Sequence, residues 1–164
     1  MINAARRPLI VIGHGAVAAR DAVIALAQRI GAVVVTTFKG KGLIPDTHPN
    51  AGAVLGRSGT PIASWFMNEA DPIIALGSPF VNRTGIERSK PIIEVDFERM
   101  QLVRFHPVAL PVWGEIAAFC AAIQPRLARS LSTAEKNELA YPVLSDSALS
   151  AANGFGVASR CRNH

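Results

Sequence analysis

Short uninterrupted apolar runs alternate along this chain with longer segments whose apolar residues recur at helical spacing. Leu9-Ile10-Val11-Ile12 is apolar throughout and stops at Gly13, the pattern of a strand covered on both faces and so of a parallel sheet. Ala16, Ala19, Val23, Leu26 and Ile30 then mark one helical face, which ends at Gly31, a residue suited to a helix C-terminus. Val33-Val34-Val35-Thr36-Thr37 is β-branched throughout and predicts a second strand, completing a βαβ unit. Residues 38–60 carry Gly40, Gly42, Pro45, Pro49, Gly52, Gly56 and Gly59 and predict a long loop region. A short helix is predicted from Pro61 to about Asn68, with proline in the first turn.

The pattern then repeats. Pro72-Ile73-Ile74-Ala75-Leu76, ended by Gly77, and Pro91-Ile92-Ile93-Glu94-Val95, ended by Asp96, predict two more buried strands. Val108-Ala109-Leu110-Pro111-Val112 reads as an edge strand, because its internal proline lacks a ladder donor. Ile116, Phe119, Cys120, Ile123 and Leu127 lie on one face of a final helix. The fold class that follows is α/β: a three-layer, doubly wound, Rossmann-like domain with a mainly parallel sheet, spanning residues 1–129. Residues 130–164, rich in Ser, Ala and Asn without a sustained period, read as a linker or tail, with room for one short helix near 133–139.

Composition narrows the function classes. With 164 residues, 49% hydrophobic and 18% charged, the chain has the make-up of one folded domain and not of a disordered segment. No apolar run approaches the roughly 20 residues that span a bilayer, and residues 1–7 lack the apolar stretch of a secretory signal. The expectation is a soluble cytoplasmic protein without a membrane partner. The net charge of +5 raises the question of nucleic acid. However, the cations are spread as Arg6/Arg7, Lys39/Lys41, Arg83/Arg88/Lys90 and Arg126/Arg129, with no dense block and no interleaved aromatics, so no nucleic-acid partner is expected. Cys120 and Cys161 cannot build a disulfide framework, and His14, His48, His106 and His164 stand singly, so no metal site is predicted.

In an open parallel sheet, ligands bind beyond the carboxyl ends of the strands. Those ends are Gly13-His14-Gly15, residues 36–42, residues 77–83 and residues 96–98. Gly13-His14-Gly15-Ala16-Val17-Ala18 satisfies the loose dinucleotide pattern G-x-G-x-x-A between a strand and a helix, where a helix N-terminus favours an anion. The second strand, however, ends in Thr36-Thr37-Phe38-Lys39 and not in the acid that holds a ribose, which argues against a conventional NAD site. The glycines therefore have two readings: backbone approach to a ligand, or tight turns and close helix–strand packing.

Residues 7–15, Val34-Val35-Thr36-Thr37 through Lys41-Gly42 and Pro45-Asp46-Thr47-His48-Pro49, Leu55-Gly56-Arg57-Ser58-Gly59-Thr60, Ala70-Asp71-Pro72 through Leu76-Gly77-Ser78-Pro79-Phe80, and residues 91–98 follow one another in order. Together these segments resemble the central domain of thiamine-diphosphate-dependent enzymes of the acetolactate synthase and pyruvate oxidase type. The resemblance implies a non-catalytic domain that gives scaffold and homo-oligomer contacts. Its partners would be two flanking domains, one binding the aminopyrimidine and one the diphosphate of thiamine diphosphate with Mg²⁺. The second of these uses a Gly-Asp-Gly motif, and this chain contains no Asp-Gly dipeptide.

Some members of this family lay FAD along the central domain, and others ADP or part of coenzyme A. By resemblance, such contacts fall at Gly13, Gly15, Lys41, Gly59, Thr60, Gly77, Arg83, Asp96 and Glu98: glycine amides for the pyrophosphate, Arg83 for charge, acids for ribose. Ser58 stands where the flavoproteins often have His. The parent reaction implied is thiamine chemistry on a 2-keto acid, with no catalytic residue in this domain. An alternative resemblance is to a freestanding nucleotide-binding subunit, such as the ε subunit of archaeal carbon monoxide dehydrogenase complexes.

Overall fold

A computed structural model describes residues 1–78, 84, 85, 87 and 89–128. The predicted tail, and Arg83 with it, lie outside the described residues. Six strands form one sheet: β1 (Leu9–Ile12), β2 (Val33–Thr36), β3 (Ala51–Val54), β4 (Ile73–Leu76), β5 (Ile92–Asp96) and β6 (Leu110–Trp113). All pair in parallel, in the order β3-β2-β1-β4-β5-β6. Leu9 sits in register with Val33 on one side and Ile73 on the other, so β1 is the central strand where the chain's progress across the sheet reverses.

Continuous apolar runs are required because both faces are covered. Ile10, Ile12, Val34, Ile74, Leu76, Ile93 and Val95 point to one side, where α1 (Arg20–Ile30) contributes Val23, Leu26 and Ile30 and α3 (Ile116–Ile123) contributes Ile116 and Cys120. Leu9, Val11, Val33, Val35, Ile73, Ala75 and Ile92 point to the other, against Ala63, Phe66 and Met67 of α2 (Pro61–Glu69). Burying one such aliphatic side chain contributes about 1.5–3 kcal/mol, so these two layers are the main source of stability.

Local signals set the helix ends. Gly31 closes α1 in the left-handed conformation (φ 67°), and Thr60 caps α2 ahead of Pro61. Two expectations change. The helical periodicity beginning at Ala16 is first a tighter 3-10 segment, His14–Ala19, and α1 starts only at Arg20. Residues 38–60 are not all loop, since they contain β3. That strand is Ala-Gly-Ala-Val, with a register shift against β2 and Ala53 at φ 66°, and it lacks the β-branched density that announces the others. Gly52 is needed there, because a Cβ would lie 2.4 Å from a methyl of Val33. The edge strand is β6 as expected, displaced by two residues at its start, with Leu110 and Trp113 exposed.

Candidate functional site

Beyond the carboxyl ends of the strands lies a crevice of about 930 Å³, a size that suits a small-molecule ligand. Its floor is built by glycines at the ends of β1 and β4. The Gly13 N–H donates to the Leu76 carbonyl at 3.1 Å and the Gly15 N–H to the Gly77 carbonyl at 3.1 Å. A Cβ on Gly13 would fall 2.2 Å from the Gly77 oxygen, and one on Gly77 (φ 57°) 2.5 Å from the Gly15 carbonyl carbon. These glycines let two backbones touch. Gly59 likewise closes a turn against Val54 and Gly56, with its N–H bonded to the Gly56 carbonyl at 2.8 Å.

Every glycine amide proposed for a pyrophosphate thus already donates within the chain: those of Gly13, Gly15 and Gly59, and that of Gly77 to Val95 at 2.9 Å. Ala16 N–H is also engaged, by Gly13. Cationic character in the crevice therefore comes from side chains. Lys39 follows β2 and Arg57 follows β3, both exposed, with His14 beside them. On the β5 side stand Asp96, Phe97, Glu98 and Gln101, and Phe38, 74% exposed, adds a second aromatic ring to the lining. Asp96 is buried and accepts the Glu98 N–H at 2.9 Å. Burial pushes its carboxyl above the usual range, and the neighbouring Glu98 charge adds to that, while the N–H groups of Glu98 and Phe97 oppose it.

Of the residues expected from sequence, Gly15, Gly59, Gly77, Asp96 and Glu98 line the crevice. Gly13 lies beneath it in the β1–β4 packing, Lys41 is exposed outside the lining, and the Thr60 hydroxyl accepts the Ala63 N–H to cap α2. Lys39, Arg57, Phe38 and Phe97 are additions. Lys39 and Arg57 sit within the segments that carried the family resemblance, but sequence order gave no sign that β3 would swing Arg57 to the same opening as Lys39. Among the described residues, no cluster of His, Cys, Asp or Glu could hold a metal ion, and no helix is long and apolar enough to cross a membrane.

Comparison with known proteins agrees with this architecture. The chain is 35% identical over 132 residues to a protein of Pseudomonas aeruginosa named as a probable 2-ketoarginine decarboxylase, covering 77% of this chain and 23% of that one. It is 30% identical over 130 residues to the large subunit of acetolactate synthase isozyme 1 of Escherichia coli, covering 76% and 23%. With the acetolactate synthase large subunit of Haemophilus influenzae it shares 32% identity over 117 residues, covering 67% and 20%. The chain thus spans about a fifth to a quarter of the length of these relatives. Residues 1–123 match the family described as thiamine pyrophosphate enzyme, central domain, and the chain belongs to that family.

Proposed function

We propose that this chain is the non-catalytic central domain of a thiamine-diphosphate-dependent enzyme acting on a 2-keto acid, with residues 1–129 as the folded unit. Its partners are flanking domains that bind the pyrimidine and, with Mg²⁺, the diphosphate of thiamine diphosphate, and its role is scaffold and oligomer contact. The relatives named above support that reading and lend none to the freestanding ε-subunit alternative. When bound in the parent enzyme, thiamine diphosphate would supply the carbanion chemistry.

We further propose that the crevice takes the ADP portion of FAD, or ADP itself. The observation that carries this is the division of charge across one opening: Lys39 and Arg57 beyond β2 and β3, Asp96 and Glu98 beyond β5, with Phe38 and Phe97 exposed between solvent and the floor. Cationic side chains suit phosphates, carboxylates suit ribose hydroxyls, and aromatic rings suit a base. Arg83 remains part of the proposed anion side, and Lys41 a more distant contributor. Because the crevice is open, affinity should be modest, with Kd of about 0.1–1 mM, or roughly 4–5.5 kcal/mol.

Calorimetric titration of the chain with ADP, FAD and adenosine tests the reading. Arg57→Ala and Arg83→Ala should each weaken ADP several-fold and adenosine hardly at all. Equal losses for both ligands, or ADP binding indifferent to Arg57, Arg83 and Asp96 alike, would place the nucleotide elsewhere. The assignment as a non-catalytic domain has its own test, in which thiamine diphosphate and Mg²⁺ titrated together should give no heat. Micromolar Mg²⁺-dependent binding would overturn it.

A further inference from the structure

Glu94 is a carboxylate in the middle of a buried strand, 4% exposed, on the face of β5 that Ile92 gives to the α2-side core. An unpaired acid there is costly, so the partner it has found is informative. The connection from β5 to β6 folds back over it, and Glu94 Oε2 accepts the Val103 N–H at 2.8 Å. Val103 holds a left-handed backbone (φ 59°), a conformation that a β-branched residue adopts only when something else enforces it. Core packing is not what enforces it, since Val103 is 48% exposed.

The same connection forms the acidic wall of the crevice. It starts at Asp96, whose Oδ1 accepts the Glu98 N–H at 2.9 Å; Glu98 Oε2 then accepts Gln101 Nε2 at 3.1 Å, and the Phe97 carbonyl accepts Trp113 Nε1 at 3.0 Å. The connection is therefore fastened to β5 at three points: by Asp96 at its beginning, by Glu94 beneath its middle at Val103, and by the Ala109 N–H, which donates to the Ile92 carbonyl at 2.9 Å, at its end. Phe97, Glu98 and Gln101, which line the crevice, lie between the Asp96 and Glu94 attachments.

We infer that Glu94 is a positioning residue for the crevice: from within the sheet it holds the strained Val103 turn, and so sets the wall that presents Phe97, Glu98 and Gln101 to a ligand. Its action on the wall stands independently, and its effect on a ligand rests on the nucleotide reading above.

Hydrogen exchange followed by mass spectrometry on the whole chain reads the wall without a ligand. In the wild type the Val103 amide should be protected although its side chain is exposed, and exchange there at the rate of an unfolded peptide would overturn the inference even if no variant folds. Glu94→Leu should speed exchange across residues 99–106 about tenfold, the size expected for one lost hydrogen bond to a carboxylate. Glu94→Gln keeps an acceptor oxygen and should exchange as the wild type does. ADP titration should follow the same order, with Kd raised about threefold or more in Glu94→Leu, by analogy with other losses of pre-organisation, and restored in Glu94→Gln. Equal exchange in all three proteins, or Glu94→Gln behaving as Glu94→Leu, would overturn the inference. A faster-exchanging wall with unchanged ADP affinity would reduce Glu94 to a structural residue. Wild-type protein that fails to bind ADP would remove the nucleotide reading and the ligand role of Glu94 with it, leaving the exchange rates to decide whether Glu94 holds the wall.

Discussion

The Gly15 N–H donates to the Gly77 carbonyl at 3.1 Å, and a Cβ on Gly15 would stand 2.8 Å from the Gly77 Cα. These two residues close the ends of β1 and β4 on each other at the point where the strand order reverses. The contact supports the packing reading of the glycine motif, since the Gly15 N–H is bonded within the protein.

Gly77→Ala should therefore destabilise the fold by about 3 kcal/mol or more, adding a backbone clash to the strain of a left-handed alanine. Gly42→Ala is the control. Gly42 is also left-handed (φ 88°) but has nothing within 4 Å of its Cβ position, so its loss should be about 1–2 kcal/mol, the conformational cost alone. Urea unfolding of both variants checks the contrast, and similar losses would mean that the β1–β4 contact is looser than described.

Thr60 separates a capping role from a ligand role. Its hydroxyl accepts the Ala63 N–H at 3.4 Å at the start of α2 and does not face the crevice. Thr60→Ala should cost about 1 kcal/mol of stability, and Thr60→Ser much less. Neither should alter ADP affinity. A loss of ADP binding at unchanged stability would return Thr60 to the ligand contacts.

What the sequence revealed, and what it hid, has a physical pattern. β1 and β4 were legible because a strand covered on both faces is apolar throughout, β5 because Ile92, Ile93 and Val95 keep that pattern around Glu94, and Gly31 and Pro61 because their backbone restrictions are local. β3 was hidden because Ala51–Val54 has little intrinsic strand preference and is fixed by the edge of β2, a non-local partner. The same partnership explains the site. Gly15, Gly77, Asp96 and Glu98 stand at strand ends that the apolar runs mark, Gly59 was legible only through the family resemblance, and Lys39 lines the crevice because of the Phe38–Gly40 turn, where a Cβ on Gly40 would meet the Ile12 carbonyl at 2.7 Å.

Cys120 is fully buried in α3, and burial pushes its thiol up to about 11. At pH 8 only about one molecule in a thousand carries the reactive thiolate, and access is closed besides. In a Cys161→Ala protein, disulfide-exchange reagents should modify Cys120 no faster than the chain unfolds. Labelling within minutes under native conditions, with no dependence on denaturant, would show that α3 opens on its own.

The two buried acids of β5 make stability depend on pH in a direction opposite to the common carboxylate case. Burial raises Glu94, Asp96 adds to the rise, and the Val103 N–H pulls against it; Asp96 is raised by its own burial and by Glu98. In the folded state each holds its proton at a pH where the unfolded chain has released it. Their stabilising contribution is therefore complete below the ordinary carboxylate range and is lost as pH rises through the folded values. His48 works the other way, since burial lowers it, and protonating it as pH falls below the usual histidine value favours unfolding. A plain stability–pH curve mixes these slopes, whereas the difference between wild type and Glu94→Gln cancels His48. Chemical unfolding of both proteins at constant salt, from the ordinary carboxylate range upward, should show the variant gaining relative stability as pH rises. A difference curve that is flat, or that falls with pH, would mean that Glu94 is ionised in the folded state as readily as in the unfolded chain.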